Sequence, residues 1–345
     1  MVGQETSKTA IFRLANFGDI AGIAAFTGKA ETGLTTVPRS PAEVETIIEL
    51  TQRYLSGERK ANRLLFVGEQ DGEVVGISSV IPTLGLERPF YSFKRSRHAR
   101  RSTTPKLSVK YDTLQLTTDF DGYTELASLF ISQDARGRGL GRLLSYGRLA
   151  FICAHPELFE DRLMSDIRGW TDSAGVSPFW THLTSKFIPT DFDNADKTST
   201  IDGRFIIELL PSLPIILNTL PLIVGECVGR AHDYSAPALA MLKAVGFKSG
   251  DLCDVFDGGP SIECHTDSTL IAKTVVQAKG QSAEGTDSML HFCGKKEDFM
   301  AVIAPGSRSE TLASDTAVRI LSCAPQDISL ARISPRIEPN IGSYK

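Results

Sequence analysis

Apolar and polar positions alternate through Thr124-Glu125-Leu126-Ala127-Ser128-Leu129-Phe130-Ile131, which predicts a half-buried strand. Leu140, Leu143, Leu144, Gly147 and Phe151 then recur at helical spacing. Upstream, Ile11 to Leu14 predicts a first strand, and Asn16 to Ala25 a helix with Asp19 near its start. Pro41 to Leu55 is a clearer helix: Ser40 caps it, Pro41 suits the first turn, and Val44, Ile47, Ile48 and Leu55 share a face. Leu64 to Glu69 and Glu73 to Val80 predict two strands joined by Asp71-Gly72, a hairpin turn. Pro82 to Thr113 carries no clear period and reads as irregular, and Arg162 to Trp170 reads as a further strand.

Past that point, Ser177-Pro178-Phe179-Trp180 leads into a helix ending near Phe187, and Pro237 to Phe247 repeats a helix followed by Gly-Phe. From Leu270 onward the pattern shifts. Leu270 to Val276, Met289 to Phe292, Phe299 to Ile303, Val318 to Leu321 and Ile328 to Ile333 are short apolar runs between Gly-, Ser- and Glu-rich turns. They predict a small all-β appendage, with Gly280 to Ser288 as a flexible loop.

The stretch between strand and helix, Arg136-Gly137-Arg138-Gly139-Leu140-Gly141, carries the chemistry. A strand that feeds a glycine-rich turn opening a helix leaves backbone N–H groups unpaired and aimed outward. Glycine admits a bulky anion to that backbone, and the helix dipole favours negative charge there. A pyrophosphate fits. No Gly-Lys-Ser/Thr is present, so this is not a P-loop. The glycine spacing also departs from the Rossmann fingerprint. What remains, Arg-x-x-Gly-x-Gly at Arg136, Gly139 and Gly141, resembles the coenzyme A pyrophosphate loop of the GNAT acyltransferase superfamily. A solvated surface turn is the competing reading. The order of strand, helices, hairpin, cofactor strand, loop, helix and strand matches that superfamily as well. Its implied fold is a twisted mixed α/β sheet with flanking helices. In such folds two neighbouring strands splay apart, and the backbone of Leu129 and Ile131 is placed to bond a peptide-like pantetheine arm.

Composition narrows the classes. The chain has 345 residues, 41% apolar and 23% charged, as in ordinary globular proteins. Its formal net charge of −4 gives no reason to expect nucleic acid. The basic run Lys94 to Arg101 then reads as a solvated loop, with contact to cofactor phosphates as the functional alternative. The longest apolar candidate for a membrane span, Phe205 to Val224, is broken by Glu208, Pro211, Pro214, Asn218 and Pro221. Met1 to Ala10 is polar, without the apolar core of a signal peptide, so a cytoplasmic protein is expected. The six cysteines form no Cys-x-x-Cys pair, which suggests neither a zinc site nor redox chemistry, and they read as buried thiols.

Further motifs are similar to those of the arginine N-succinyltransferase family. They are Thr32-Gly33-Leu34-Thr35-Thr36-Val37-Pro38, Thr124 to Phe130, Ser177 to Trp180 with Asp191-Phe192 and Ala195-Asp196, and His232 with Pro237-Ala238 and Gly246-Phe247. The most specific is Asp254-Val255-Phe256-Asp257-Gly258-Gly259-Pro260 with Glu263-Cys264. Two departures stand out: Ala30-Glu31 reads as inserted, and the phosphate loop is closer to the general GNAT form.

The resemblance implies succinyl transfer from succinyl-CoA, a co-substrate rather than a tightly bound cofactor, to the α-amino group of L-arginine. It implies His232 as proton donor and Leu129 as an acyl-CoA contact. It also implies a GNAT-like domain over residues 1–268, with a cofactor core to about 175, a second GNAT-like half over 176–268, and the β-rich region 269–345. A homo-oligomer or a pairing with a related subunit is expected.

Acyl transfer to an amine needs a neutral amine, donors for the oxyanion and a proton for the thiolate. Backbone N–H groups near Leu129 and Phe130 are candidate oxyanion donors. An unperturbed histidine titrates near neutrality, so His232 suits proton transfer, and Glu125 is the rival base. Arg168, Arg204 and Arg230 are candidates for a succinyl carboxylate. Asp254, Asp257 and Glu263 are candidates for the cationic acceptor; tight-turn chemistry competes for Asp257. An acetyl-CoA-dependent amine acyltransferase and a non-catalytic CoA-binding partner subunit remain alternative functions.

Overall fold

A computed structural model describes residues 10–28, 36–282, 285–307 and 311–334. The first five residues of the Gly-Leu-Thr motif's neighbourhood, Glu31 to Thr35, and the insertion residue Ala30 lie outside them.

The N-terminal strands are β1 (Ala10–Leu14), β2 (Leu64–Gln70) and β3 (Glu73–Ile81), all antiparallel. Asp71 and Gly72 join the last two with φ of 56° and 82°, the left-handed pair that a two-residue hairpin needs. Helices α1 (Ile20–Thr27) and α2 (Pro41–Leu55) cover one face. There Ile23, Val44 and Ile48 pack on Leu65, Val67 and Ile77. The Ser40 hydroxyl accepts the Glu43 N–H and caps α2. The opposite face carries α3 (Leu140–Ala154), buried along most of its length. It sits close: a Cβ on Gly147 would lie 2.5 Å from the Phe12 ring.

The residues read as irregular after β3 instead form a long hairpin, β4 (Ser92–Ser102) and β5 (Leu107–Thr117). The Lys94 to Arg101 run is therefore strand, not loop. Only its inner end is buried, at Phe93 and Leu114. Farther out both faces meet solvent, so no apolar alternation marks it. Arg95 pairs with Asp112 and Lys94 with Asp119 (2.8 Å), which neutralises part of the run.

β6 (Thr124–Ile131) pairs antiparallel with β3, and β7 (Arg162–Asp166) lies parallel to β6. Beyond β7 the sheet continues through Pro260–His265 and Lys248–Asp254 to β4 and β5. A second core lies under that end, built on Phe93, Leu114, Phe179, Trp180, Val255 and Phe256.

The C-terminal strands Asp287–Cys293, Met300–Gly306 and Ser329–Arg332 extend the same sheet, joined through Met300–Gly306 to β1. Leu290, Phe292, Phe299 and Ala331 share a core with α3 and Phe12. Two runs read as strands are helices, Leu270–Thr274 and Asp315–Leu321. Each is started by a side-chain cap, Thr269 or Ser314, accepting an N–H three residues on. Cys293 and Cys323 form a disulfide, against the expectation of free thiols; the sheet and helix Asp315–Leu321 bring them together. Among the described residues the main sheet is fourteen-stranded and mixed with helices on both faces, the GNAT-like architecture, beside a separate two-stranded sheet. Among the described residues no helix is long and apolar enough to cross a membrane.

Candidate active site

The site begins with an irregularity in β6. Ser79 pairs with Ala127 and Ile77 with Phe130, so Ser128 and Leu129 together oppose one residue of β3. Ser128 takes a φ of 49°, a left-handed value rare outside glycine. This is a β-bulge, which bends its strand and frees backbone groups from the ladder. Correspondingly, β6 pairs with β7 only at Thr124 with Leu163 and Glu125 with Met164. Past Glu125 the two strands part. A cavity of about 850 Å³ opens there, lined by Leu126 to Leu129, by Ser165 to Arg168, by Thr36 and Val37, and by Asp254 to Asp257.

β6 runs on into the glycine loop. Gly137 and Gly139 adopt φ of 78° and 89°, and Gly139 directly precedes the first turn of α3. The N–H groups of Arg138, Gly139, Leu140 and Gly141 have no backbone acceptor among the described residues. The first intrahelical bonds come from Arg142 and Leu143, both to Gly139 O. Gly141 sits against Ile131: a Cβ there would be 3.4 Å from the Ile131 side chain. Arg136 donates to Ile131 O (3.3 Å) and lies over the Phe130 ring. Arg138 is exposed. The loop thus presents a row of bare amides and two arginines at the end of the strand whose other half lines the cavity. Leu129 lines the cavity, whereas Ile131 braces the loop.

Glu125 is 9% exposed and lines the cavity. Burial raises its carboxyl to about 7, opposed by the charges of Arg63, Arg148 and Arg88. His232 stands at the edge. Its N–H donates to the Arg168 carbonyl (2.8 Å), and its Nδ1 accepts the Tyr234 N–H (3.2 Å). The neutral ring therefore carries its proton on Nε2. His232 is not itself among the lining residues, although Ser235 and Ala238 just beyond it are.

The acidic wall comes from three aspartates. Asp254 accepts the Phe256 and Asp257 N–H groups on one oxygen (2.7 and 2.8 Å). Asp257 uses both oxygens on backbone, accepting from Gly169 (2.6 Å) and Gly259 (2.8 Å). Asp257 is thus the builder of the Asp254-to-Pro260 turn. That turn is packed so closely that a Cβ on Gly259 would lie 2.1 Å from the Ile167 carbonyl. Asp166, which the sequence reading passed over inside a strand, also lines the cavity and accepts the Ser261 hydroxyl. Burial raises the carboxyls of Asp166, Asp254 and Asp257, and the Asp254 charge adds to the rise at Asp166 and Asp257. Glu263 lies apart. It lines a second cleft beside Lys94 and Asp119, accepts the Tyr123 hydroxyl (3.0 Å) and faces Arg162 at 3.9 Å.

Two arginines that sequence reasoning missed enter the cavity at the bulge. Arg63 donates to Thr36 O (2.7 Å) and Ser128 Oγ (3.2 Å). Arg148, 2% exposed, donates to Ala127 O (2.9 Å) and Ser79 O (3.2 Å). The signal for Arg148 was its place between Leu144 and Phe151 on the apolar face of α3. Of the three arginines named from sequence, Arg168 lines the cavity. Arg204 is exposed and held by Asp202, and Arg230 stacks on Trp170 at 4.0 Å.

Comparison with known proteins gives a consistent picture. A family model described as arginine N-succinyltransferase beta subunit matches residues 10–271. The chain is 33% identical to the arginine N-succinyltransferase subunit beta of Pseudomonas aeruginosa, across 90% of this chain and 94% of that protein. It is 32% identical to an arginine N-succinyltransferase of Escherichia coli, across 80% and 82%. Among solved structures it is similar to arginine/ornithine succinyltransferase subunit AI from Pseudomonas aeruginosa. The TM-score is 0.82 at 26% identity, over 94% of this chain and 99% of the other.

Proposed function

This chain belongs to the arginine N-succinyltransferase family, and on that premise we propose that it transfers the succinyl group of succinyl-CoA to the α-amino group of L-arginine. The observation that carries this reading is one cavity, opened by the β6 bulge and lined by Asp166 and Asp254, on the strand that runs on into the loop of bare amides. In this reading the donor's pyrophosphate meets the amides of Arg138 to Gly141 and the charge of Arg136. The pantetheine arm follows the freed backbone at Leu129, and the thioester comes to the bulge. Asp166 and Asp254 receive the cationic acceptor.

The chemistry is a direct displacement. The neutral amine attacks the thioester carbon, the C–S bond breaks, and the amine's second proton passes to the departing sulfur, leaving an amide and the CoA thiol. Glu125 lines the cavity with a carboxyl raised to about 7, so it takes the ammonium proton near neutral pH. His232, with its proton on Nε2, donates a hydrogen bond to the departing sulfur. Amides near the bulge, at Leu129 and Phe130, stabilise the oxyanion. The beta-subunit name of the Pseudomonas aeruginosa relative supports assembly with a second copy or a related subunit.

The test is thiol release by the purified protein, with succinyl-CoA against acetyl-CoA and L-arginine against ornithine. Release with succinyl-CoA and arginine above the other pairs is expected. A preference for acetyl-CoA, or no release with any pair, overturns the reading.

A further inference from the structure

We propose that Arg63, backed by Arg148, reads the free carboxylate of the acyl donor, so that the cavity selects a dicarboxylic acyl group over a neutral chain of equal length. This rests on the reading above, that an acyl-CoA thioester lies at the bulge.

The two guanidinium groups converge on one short stretch of β6. Arg63 reaches Ser128 Oγ, and Arg148 reaches the carbonyl of Ala127 next to it. Each has a buried Nε without a partner. Neither lies within 4.0 Å of any carboxylate oxygen among the described residues, and their hydrogen bonds go only to carbonyls and one hydroxyl. Cations in a low-dielectric site are costly when no counter-charge meets them. Glu125 is the carboxyl whose field reaches both, yet near neutral pH it is only partly ionised and cannot offset two positive charges. An anion supplied by the ligand would complete the set. Arg63 has the fork that matches a carboxylate's two oxygens.

Other cations are less suited. Arg204 is already held by Asp202, Arg230 lies on Trp170, Arg88 is exposed and bonded to the Ser199 carbonyl, and Arg168, which also lines the cavity, lacks the buried, unpartnered Nε that marks Arg63 and Arg148. Asp166 and Asp254 also line the cavity, from β7 and from the Asp254-to-Pro260 turn.

Binding tests this without turnover. Wild type, Arg63→Gln and Arg63→Lys are titrated calorimetrically with succinyl-CoA, butyryl-CoA and CoA. The two acyl chains have equal length, and only succinyl carries the carboxylate. Wild type is expected to favour succinyl-CoA over butyryl-CoA by roughly 10- to 100-fold, the range of a charge-assisted hydrogen bond. The ratio should fall toward one in Arg63→Gln and recover in part in Arg63→Lys, which restores charge but not the fork. A ratio near one in wild type, or the same ratio in wild type and both variants, overturns the proposal. Should Arg63→Gln fail to fold by circular dichroism, the wild-type ratio and Arg63→Lys decide. CoA that binds without any succinyl preference sinks this proposal alone. Failure of all three ligands to bind sinks the donor reading, and this proposal with it.

Discussion

Replacing Glu125 with Gln should make the protein more stable at alkaline pH while crippling the enzyme. The glutamate is 9% exposed, and among the described residues no salt bridge holds it. Burial raises its carboxyl from 4.5 to about 7 in the folded chain. The sign follows directly. Below about 4.5 the group is protonated in both states and costs nothing. Between the two values the folded state holds the extra proton, so stability falls as pH rises. Above about 7 both states are ionised and the loss is complete. At about 1.4 kcal/mol per pH unit, the wild type gives up about 3 kcal/mol between pH 4.5 and 8 through this one group. Gln keeps the volume and the burial but cannot ionise. Urea unfolding of wild type and Glu125→Gln at pH 5 and pH 8 measures the difference. The variant's advantage should grow by about 2.5 kcal/mol across that interval. In parallel, the limb of kcat/KM that rises with pH near 7 should vanish, with turnover lowered by about 10²- to 10⁴-fold. A stability difference equal at both pH values refutes the burial argument. A surviving limb near 7 refutes the catalytic one.

Gly259→Ala should destabilise the chain by more than about 2 kcal/mol, since its Cβ would lie 2.1 Å from the Ile167 carbonyl; a thermal midpoint within a degree of wild type contradicts that packing. His291 is fully buried with its ring held down to about 4, so stability should fall as pH drops from 6.5 toward 4. His291→Met should flatten that fall in melts at pH 4.5 and 7, and an unchanged slope discounts the residue. His232→Ala should lower turnover at least tenfold with little effect on CoA affinity; full turnover removes it from the mechanism.

The strand, glycine loop and helix were legible because each rests on local pattern: alternation in β6, apolar spacing in α3, and glycines where φ is positive. The hairpin of Asp71-Gly72 was legible for the same reason. The β4–β5 hairpin was not, because a strand solvated on both faces has no apolar period. Helices Leu270–Thr274 and Asp315–Leu321 are so short that their apolar runs match a strand equally well. On the cavity wall, Asp254 was named from its motif, whereas Asp166 and Arg63 come to line it only through strands and loops distant in sequence. The Ser128 bulge leaves no mark in residue type, since nothing about Ser-Leu-Phe announces a positive φ. Glu263, read as a companion of Asp254, faces a different cleft because the strand that follows the Asp254-to-Pro260 turn carries it away.

The pairing of β1 has a consequence for synthesis. That strand lies between β2 and Met300–Gly306, with Ile11 opposite Val302 and Phe12 edge-on to Phe299. On the ribosome β1 emerges long before its second neighbour exists, so one of its edges waits bare through most of translation. An unpaired edge invites pairing with other chains. A nascent chain stalled near residue 268 would leave that edge open, with Phe12 missing an aromatic neighbour, and would be a natural client for a holding chaperone.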